Sequence, residues 1–221
     1  EKVEDVFMNR REIKIFSNNR LGVTDSFEPG RSLTLGIDYK KENLNDINKY
    51  FEMKLATVLR DQEENHIPKI STINRKNSNL FGSIKNNFSQ NFELDYNFAI
   101  DNDFKTFEYN GLQTRFLANN FITEFNFVEE NGEMGDNNFF ENTTSFTVDK
   151  NNFLKFKTRR NRKINLTEYY DLVYEYKNDC LIAGIKYKKT YYEDRDLKPS
   201  EDIFFSISII PITTYEHKIS Q

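Results

Sequence analysis

Between Phe92 and Ile100 the chain alternates. Phe92, Leu94, Tyr96, Phe98 and Ile100 fall on one parity, and Glu93, Asp95, Asn97 and Ala99 on the other. Tyr170, Leu172, Tyr174 and Tyr176 alternate in the same way with Asp171, Val173, Glu175 and Lys177. Leu181, Ala183, Ile185 and Tyr187 repeat the pattern against Ile182, Gly184, Lys186 and Lys188. A period of two puts successive side chains on opposite faces of a β-strand, so each segment predicts one apolar and one polar face. The pattern recurs at 33–39, 51–59, 121–127 and 203–209, and more weakly at 80–88, 140–148 and 154–158. In 104–116 it slips phase around Gly111, which predicts a β-bulge. No stretch carries a helical period.

The expectation is an all-β, antiparallel, up-and-down sheet of about eleven strands, each about ten residues long, the length of a tilted transmembrane strand. Strands of soluble sandwiches run nearer five or six residues. The connections alternate as well. Short turns near 89–91, 118–119, 149–152 and 178–179 are interleaved with mostly longer loops at 61–78, 130–137, 161–166 and 192–200, although 101–103 is short. Outer-membrane barrels have this asymmetry, with short periplasmic turns and long outer loops. The reading is therefore a transmembrane β-barrel fragment, expected as a curled open sheet when isolated. It makes 203–209 the final strand and turns the C-terminus toward the periplasm.

Composition refines this picture. The mean hydropathy is -0.76 and 30% of residues are charged, which alone would suggest a water-soluble chain. Yet there are 21 Phe and 12 Tyr against 8 Gly and 4 Pro, too aromatic for disorder. Alternation hides apolar content from an average, so low hydropathy is compatible with a barrel. No run is long and apolar enough for a membrane-spanning helix. The net charge of -4 argues against a nucleic-acid partner. The chain begins Glu1-Lys2-Val3 without Met or signal peptide, so it reads as a piece of a longer protein.

Candidate chemistry is sparse. His66 and His217 stand alone, and no nucleophile elbow, phosphate-binding loop or Cys/His metal spacing occurs, so no catalytic residue, metal site or cofactor is expected and the chain is not read as an enzyme. Glu193, Asp194, Asp196, Glu201 and Asp202 make an acidic loop with two readings, calcium ligation or a structural loop paired with Arg195 and Lys198. The loop lacks the spacing of an EF-hand, which favours the structural reading.

Two stretches carry a resemblance. Phe16 to Asp25, continuing through Glu28 to Gly36, resembles a barrel motif of the LptD family of outer-membrane lipopolysaccharide-assembly proteins, with Asn19, Arg20, Gly22, Asp25, Gly30, Arg31, Thr34 and Gly36 matching. Leu21 replaces the usual Phe, the small residue before the Gly is missing, Val23-Thr24 adds a residue before Asp25, and Ser26 stands where Arg is expected. The second stretch, Tyr170 to Leu181 and on through Gly184, Tyr187, Tyr192, Asp194, Arg195, Asp196 and Pro199 to Phe205, is similar to the closing hairpin and final strand of alphaproteobacterial members. The middle of the chain matches only as generic barrel strands.

The resemblance implies that residues 1–221 form the C-terminal portion of an outer-membrane β-barrel domain. That barrel would place lipopolysaccharide in the outer leaflet without chemistry of its own. It implies a bacterial outer-membrane location and contact with outer-membrane lipid. The implied partners are lipopolysaccharide, an LptE-like lipoprotein plug, and an LptA-like periplasmic bridge met through a domain preceding this chain.

Residue roles follow only as implications. Cys180 would form a disulfide to that periplasmic domain, or remain a free thiol in a small turn. Lys155, Lys157, Arg159 and Arg162, with neighbouring Arg160 and Lys163, would meet lipopolysaccharide phosphates, or else line a solvated lumen. Pro211, which cannot donate a ladder hydrogen bond, would weaken a lateral-gate seam or simply end its strand. Two rivals stay open: a porin or receptor-type outer-membrane barrel, and a soluble β-sheet binding module.

Overall fold

A computed structural model describes residues 28–191, 199–210 and 213–220. It contains twelve strands: β1 (Ser32–Asn43), β2 (Asp46–Arg60), β3 (Leu80–Ser89), β4 (Phe92–Ile100), β5 (Phe107–Ala118), β6 (Phe121–Glu130), β7 (Asn138–Thr147), β8 (Asn152–Asn161), β9 (Leu166–Lys177), β10 (Leu181–Thr190), β11 (Ser200–Ile209) and β12 (Thr213–Ser220). Each strand hydrogen-bonds to its neighbours in sequence, in the order β1 through β12. The fold is all-β, antiparallel and up-and-down, as the alternation predicts. Among the described residues, helix is confined to single 3₁₀ turns at Lys69–Ser71 and Gly132–Met134.

Among the described residues there are twelve strands, in line with the expected count of about eleven, but one expectation needs correction: 203–209 is not the final strand. β11 is paired on both sides, by β10 and by β12, and β12 carries the chain back toward the end where the long loops lie. The last described strand therefore runs opposite to the expected direction. The strand expected at 104–116 also starts later, because Phe104 lies in a left-handed turn at φ 57°.

The tight turns are built from polar side chains that satisfy their own backbone. Asn43 accepts from the Asn45 N–H, Ser89 from Asn91, Asp149 from Asn151 and Asn178 from Cys180, at 2.8–3.2 Å. These contacts imitate a backbone turn, which is why Asn, Asp and Ser recur there.

The chain divides into two compact units, the first comprising residues to 112 with 128–137 and the second comprising 113–127 with 138–221. In the first unit, register places Leu33, Ile37 and Tyr39 opposite Leu59, Leu55 and Met53, and then Met53 opposite Ile84 and Ile84 opposite Tyr96. These residues form a continuous apolar face. Gly82 faces Phe98, whose ring lies so close that a Cβ at 82 would come within 2.1 Å of it. The opposite face holds Lys54, Ser83, Lys85, Asp95 and Asn97 toward the tight turns. Toward the long loops it holds Ala56, Val58, Phe81 and Ala99, all buried. Ile67 and Ile73, from the 61–79 connection, are buried too, as is Met134.

In the second unit, register aligns Phe146, Leu154, Tyr174 and Ile185 across four strands, and then Phe205 and His217. A neighbouring row runs Phe156, Leu172, Tyr187, Ile203 and Ile219. The other face carries Lys155 and Lys157 on β8, Asp171 on β9, Lys186 and Lys188 on β10, and Asp202 on β11. No hydrophobic side chain of this unit is buried among the described residues.

Candidate functional site

The first unit has a polar knot over its small core. Asn79, which is fully buried, donates from its amide to Glu108 Oε2 at 2.7 Å and approaches Met134 Sδ at 3.6 Å. Arg75 reaches Glu133 at 2.9 Å, Asn79 Oδ1 at 3.2 Å and Glu108 at 3.5 Å. Partial burial would lower the Arg75 pKa, but the Glu133 and Glu108 carboxylates outweigh it and hold the guanidinium firmly charged. Arg60 is the second clasp. Its buried guanidinium pairs with Glu28 and donates to the carbonyls of Ile73 and Pro29 at 2.5 and 3.0 Å. Together these contacts pin the 61–79 connection against the polar face of β2 and β3, over Val58 and Phe81.

The second unit presents two chemically different faces. On its apolar face, Leu172, Ile185, Phe205 and Ile207 are 40–49% exposed. Tyrosines bracket this band. At the tight-turn end, the Tyr174 hydroxyl bonds Asn152, and Tyr176 accepts from Asn178 at 3.4 Å. At the long-loop end, Tyr187 donates to Glu201 at 3.0 Å, and Tyr170 meets Tyr191 edge-on at 5.9 Å. Tyr170 and Tyr176 are six residues apart, or roughly 20 Å along the strand.

The polar face is laced by ion pairs. Lys157 reaches Glu141 at 3.2 Å, Lys186 reaches Asp171 at 3.4 Å, and Lys218 reaches Asp202 at 3.0 Å. Such partly exposed pairs are each worth well under about 1 kcal/mol, so they set the polarity of the face more than its stability.

The structure separates the basic cluster that the sequence groups together. Lys155, Lys157 and Arg159 point to the polar face, where Arg159 pairs with Glu168 at 2.8 Å and lies 3.9 Å over the Phe139 ring. Arg160, opposite Phe140, lies on the apolar face, and Arg162 sits 5.2 Å over Phe127. Periodicity would have separated Arg159 from Arg160, but Arg162 lies beyond the strand in the loop.

Cys180 is exposed in the β9–β10 turn as a free thiol, and its carbonyl accepts from the Ile210 N–H at 2.9 Å. Of the motif residues, Gly30 has φ 79°, Arg31 approaches Asp61 at 4.0 Å, Gly36 lies on β1 opposite Ala56, and Pro199 is exposed. Asn19, Arg20, Gly22, Asp25, Tyr192, Asp194, Arg195, Asp196 and Pro211 lie outside the described residues, as does Glu193. Glu201 binds Lys189 at 3.1 Å and so has a cation partner within the chain.

Two loop carboxylates are held acidic. At Asp149 the Asn151 backbone N–H and the Asn152 side-chain amide lower the pKa against slight desolvation. At Asp101 desolvation is outweighed by the backbone N–H groups of Lys105 and Thr106 and by the Thr106 hydroxyl.

These features define a class: an antiparallel β-meander whose strands each have an apolar and a polar face. No protein-family profile and no curated protein matches the chain. Among solved structures it is similar to two mutants of Rh. blastica porin. Both are 9% identical, and each match covers 86% of this chain and 84% of the porin, with TM-scores of 0.43 and 0.42. A likeness that loose carries neither fold nor function, and the class rests on strand pairing alone.

Proposed function

We propose that this chain is a membrane-spanning part of a bacterial outer-membrane β-barrel, and that its polar face lines a hydrated passage for polar solutes, as in a porin-type channel. One observation carries the reading. The large exposed hydrophobic side chains of the second unit's strands share one face, while no hydrophobic side chain of that unit is buried among the described residues. In water this face would stay about half uncovered and forgo the remaining apolar burial, which stabilises at about 25 cal/mol per Å². In a bilayer the same face is solvated by acyl chains, and tyrosines suit the two interfaces. The ion-paired face then meets water, and the passage performs no chemistry. The test is conductance of the native protein in planar bilayers. Salt-dependent channel steps are expected, and an intact protein that inserts without conducting would overturn the passage.

A second reading is favoured by the sequence resemblance at Gly30, Arg31, Gly36 and 170–205: the passage would deliver lipopolysaccharide to the outer leaflet. A lipoprotein plug and a periplasmic bridge would then be its partners, and Cys180 would bond a periplasmic domain. Depletion of the protein separates the two. Loss of surface lipopolysaccharide supports export, and unchanged surface lipopolysaccharide with reduced solute uptake supports a channel. A chain that stays in the soluble fraction would favour a β-sheet binding module.

A further inference from the structure

The apolar face of the second unit is not uniformly apolar. Along β8 it reads Leu154, Phe156, Thr158 and then Arg160, which β7 pairs with Phe140. Phe140 stacks on Phe125 at 6.0 Å, and two residues beyond Phe125 on the same strand face stands Phe127, over which Arg162 lies at 5.2 Å. Phe156 stacks on Tyr170 at 6.0 Å. Two arginines therefore crown an aromatic surface at the long-loop end of the lipid-facing side.

Their charges are not neutralised locally. The Arg160 guanidinium bonds the uncharged amide of Asn165, which leaves most of its five donors free, and the Arg162 guanidinium lies over the Phe127 ring. No carboxylate pairs with either among the described residues. Lys189 on the same face differs, because Glu201 already holds it at 3.1 Å. Cations on a lipid-facing strand are costly at the midplane but cost little near the interface. A phosphate at that height turns the residual cost into a gain, because guanidinium and phosphate match in a bidentate fashion.

We propose that Arg160 and Arg162 form a seat for the phosphates of an outer-leaflet glycolipid, with the acyl chains lying against Phe125, Phe140 and Phe156. The inference rests on the membrane reading above and extends it to a lipid partner outside the passage. The long-loop end faces outward in such barrels, which selects the outer leaflet and its phosphorylated glycolipid over inner-leaflet phospholipid.

The test uses the native full-length protein in nanodiscs of phosphatidylcholine doped with a diphosphorylated glycolipid, its dephosphorylated form, or phosphatidylglycerol. Bound lipid is counted by native mass spectrometry. The expected result is preferential retention of the diphosphorylated form. Retention should fall about five-fold per arginine, hence about twenty-five-fold in R160Q/R162Q, and stay unchanged in K150Q, an exposed lysine at the tight-turn end. Equal retention of phosphatidylglycerol, or no loss in R160Q/R162Q, overturns the glycolipid seat while leaving the membrane reading intact. A well-folded protein that never enters nanodiscs overturns both.

Discussion

The two units share one strand pattern but bury different things. In the first, the 61–79 connection folds over the polar face, and Val58, Ile67, Phe81 and Met134 form a small core tied down by Arg60, Arg75 and Asn79. In the second, no such core exists among the described residues, and cohesion comes from backbone ladders and cross-strand pairs. The difference lies in one loop. A meander of alternating strands has no core of its own, and it gains one only where a connection is long enough to return over a face. The second unit depends on whatever solvates its apolar side.

Four measurements probe this contrast, and the largest effect is expected where burial is complete. Ile67→Ala should destabilise the first unit by about 2–5 kcal/mol, read as a lower denaturation midpoint. Ile185→Ala, at an exposed site, should fall well short of that, and equal costs would erase the distinction between the units. Next, Leu172→Arg in the middle of the exposed apolar band should cost about 2–4 kcal/mol when folding is measured in lipid bilayers. A negligible cost in bilayers would mean that this face does not meet lipid. Asn79→Ala should cost about 1–3 kcal/mol, because Glu108 loses a buried donor. Hydrogen exchange should then rise across 61–79 and leave the second unit unchanged.

The smallest effect concerns the Asp149 turn. Its carboxyl is more acidic in the folded state than in the unfolded chain, so its contribution is complete above the ordinary carboxylate range and is lost as pH falls through the folded value. Protection of the Asn151 and Asn152 amides should decline on acidification. Asp149→Ala should abolish that pH dependence, and an unchanged profile would show that the side chain does not hold the turn.

Much of this architecture is written in the alternation. Phe92 to Ile100 and Tyr170 to Tyr176 announce both strand and face, because each apolar residue on one parity has a polar neighbour on the other. β12 was illegible for the opposite reason. Thr213 to Ser220 carries His217 between Tyr215 and Ile219, which interrupts the apolar row, so only its pairing with β11 reveals it. The first unit's core was equally hidden. Ile67 and Ile73 are isolated in a polar loop without period, and their burial depends on where that loop lands. The arginine seat was half visible: parity separates Arg159 from Arg160, but the stacking of Arg162 on Phe127 joins residues 35 positions apart, which no local pattern encodes.

The glycine beneath Phe98 has a consequence for how this sheet can drift. Position 82 has no room for a methyl group while an aromatic ring covers it, and position 98 presses its ring against a backbone that only glycine leaves bare. The two sites thus behave as one inherited character. Gly82→Ala should be tolerated only beside a smaller residue such as Leu at 98, and among descendants of this sequence the two should change together or not at all.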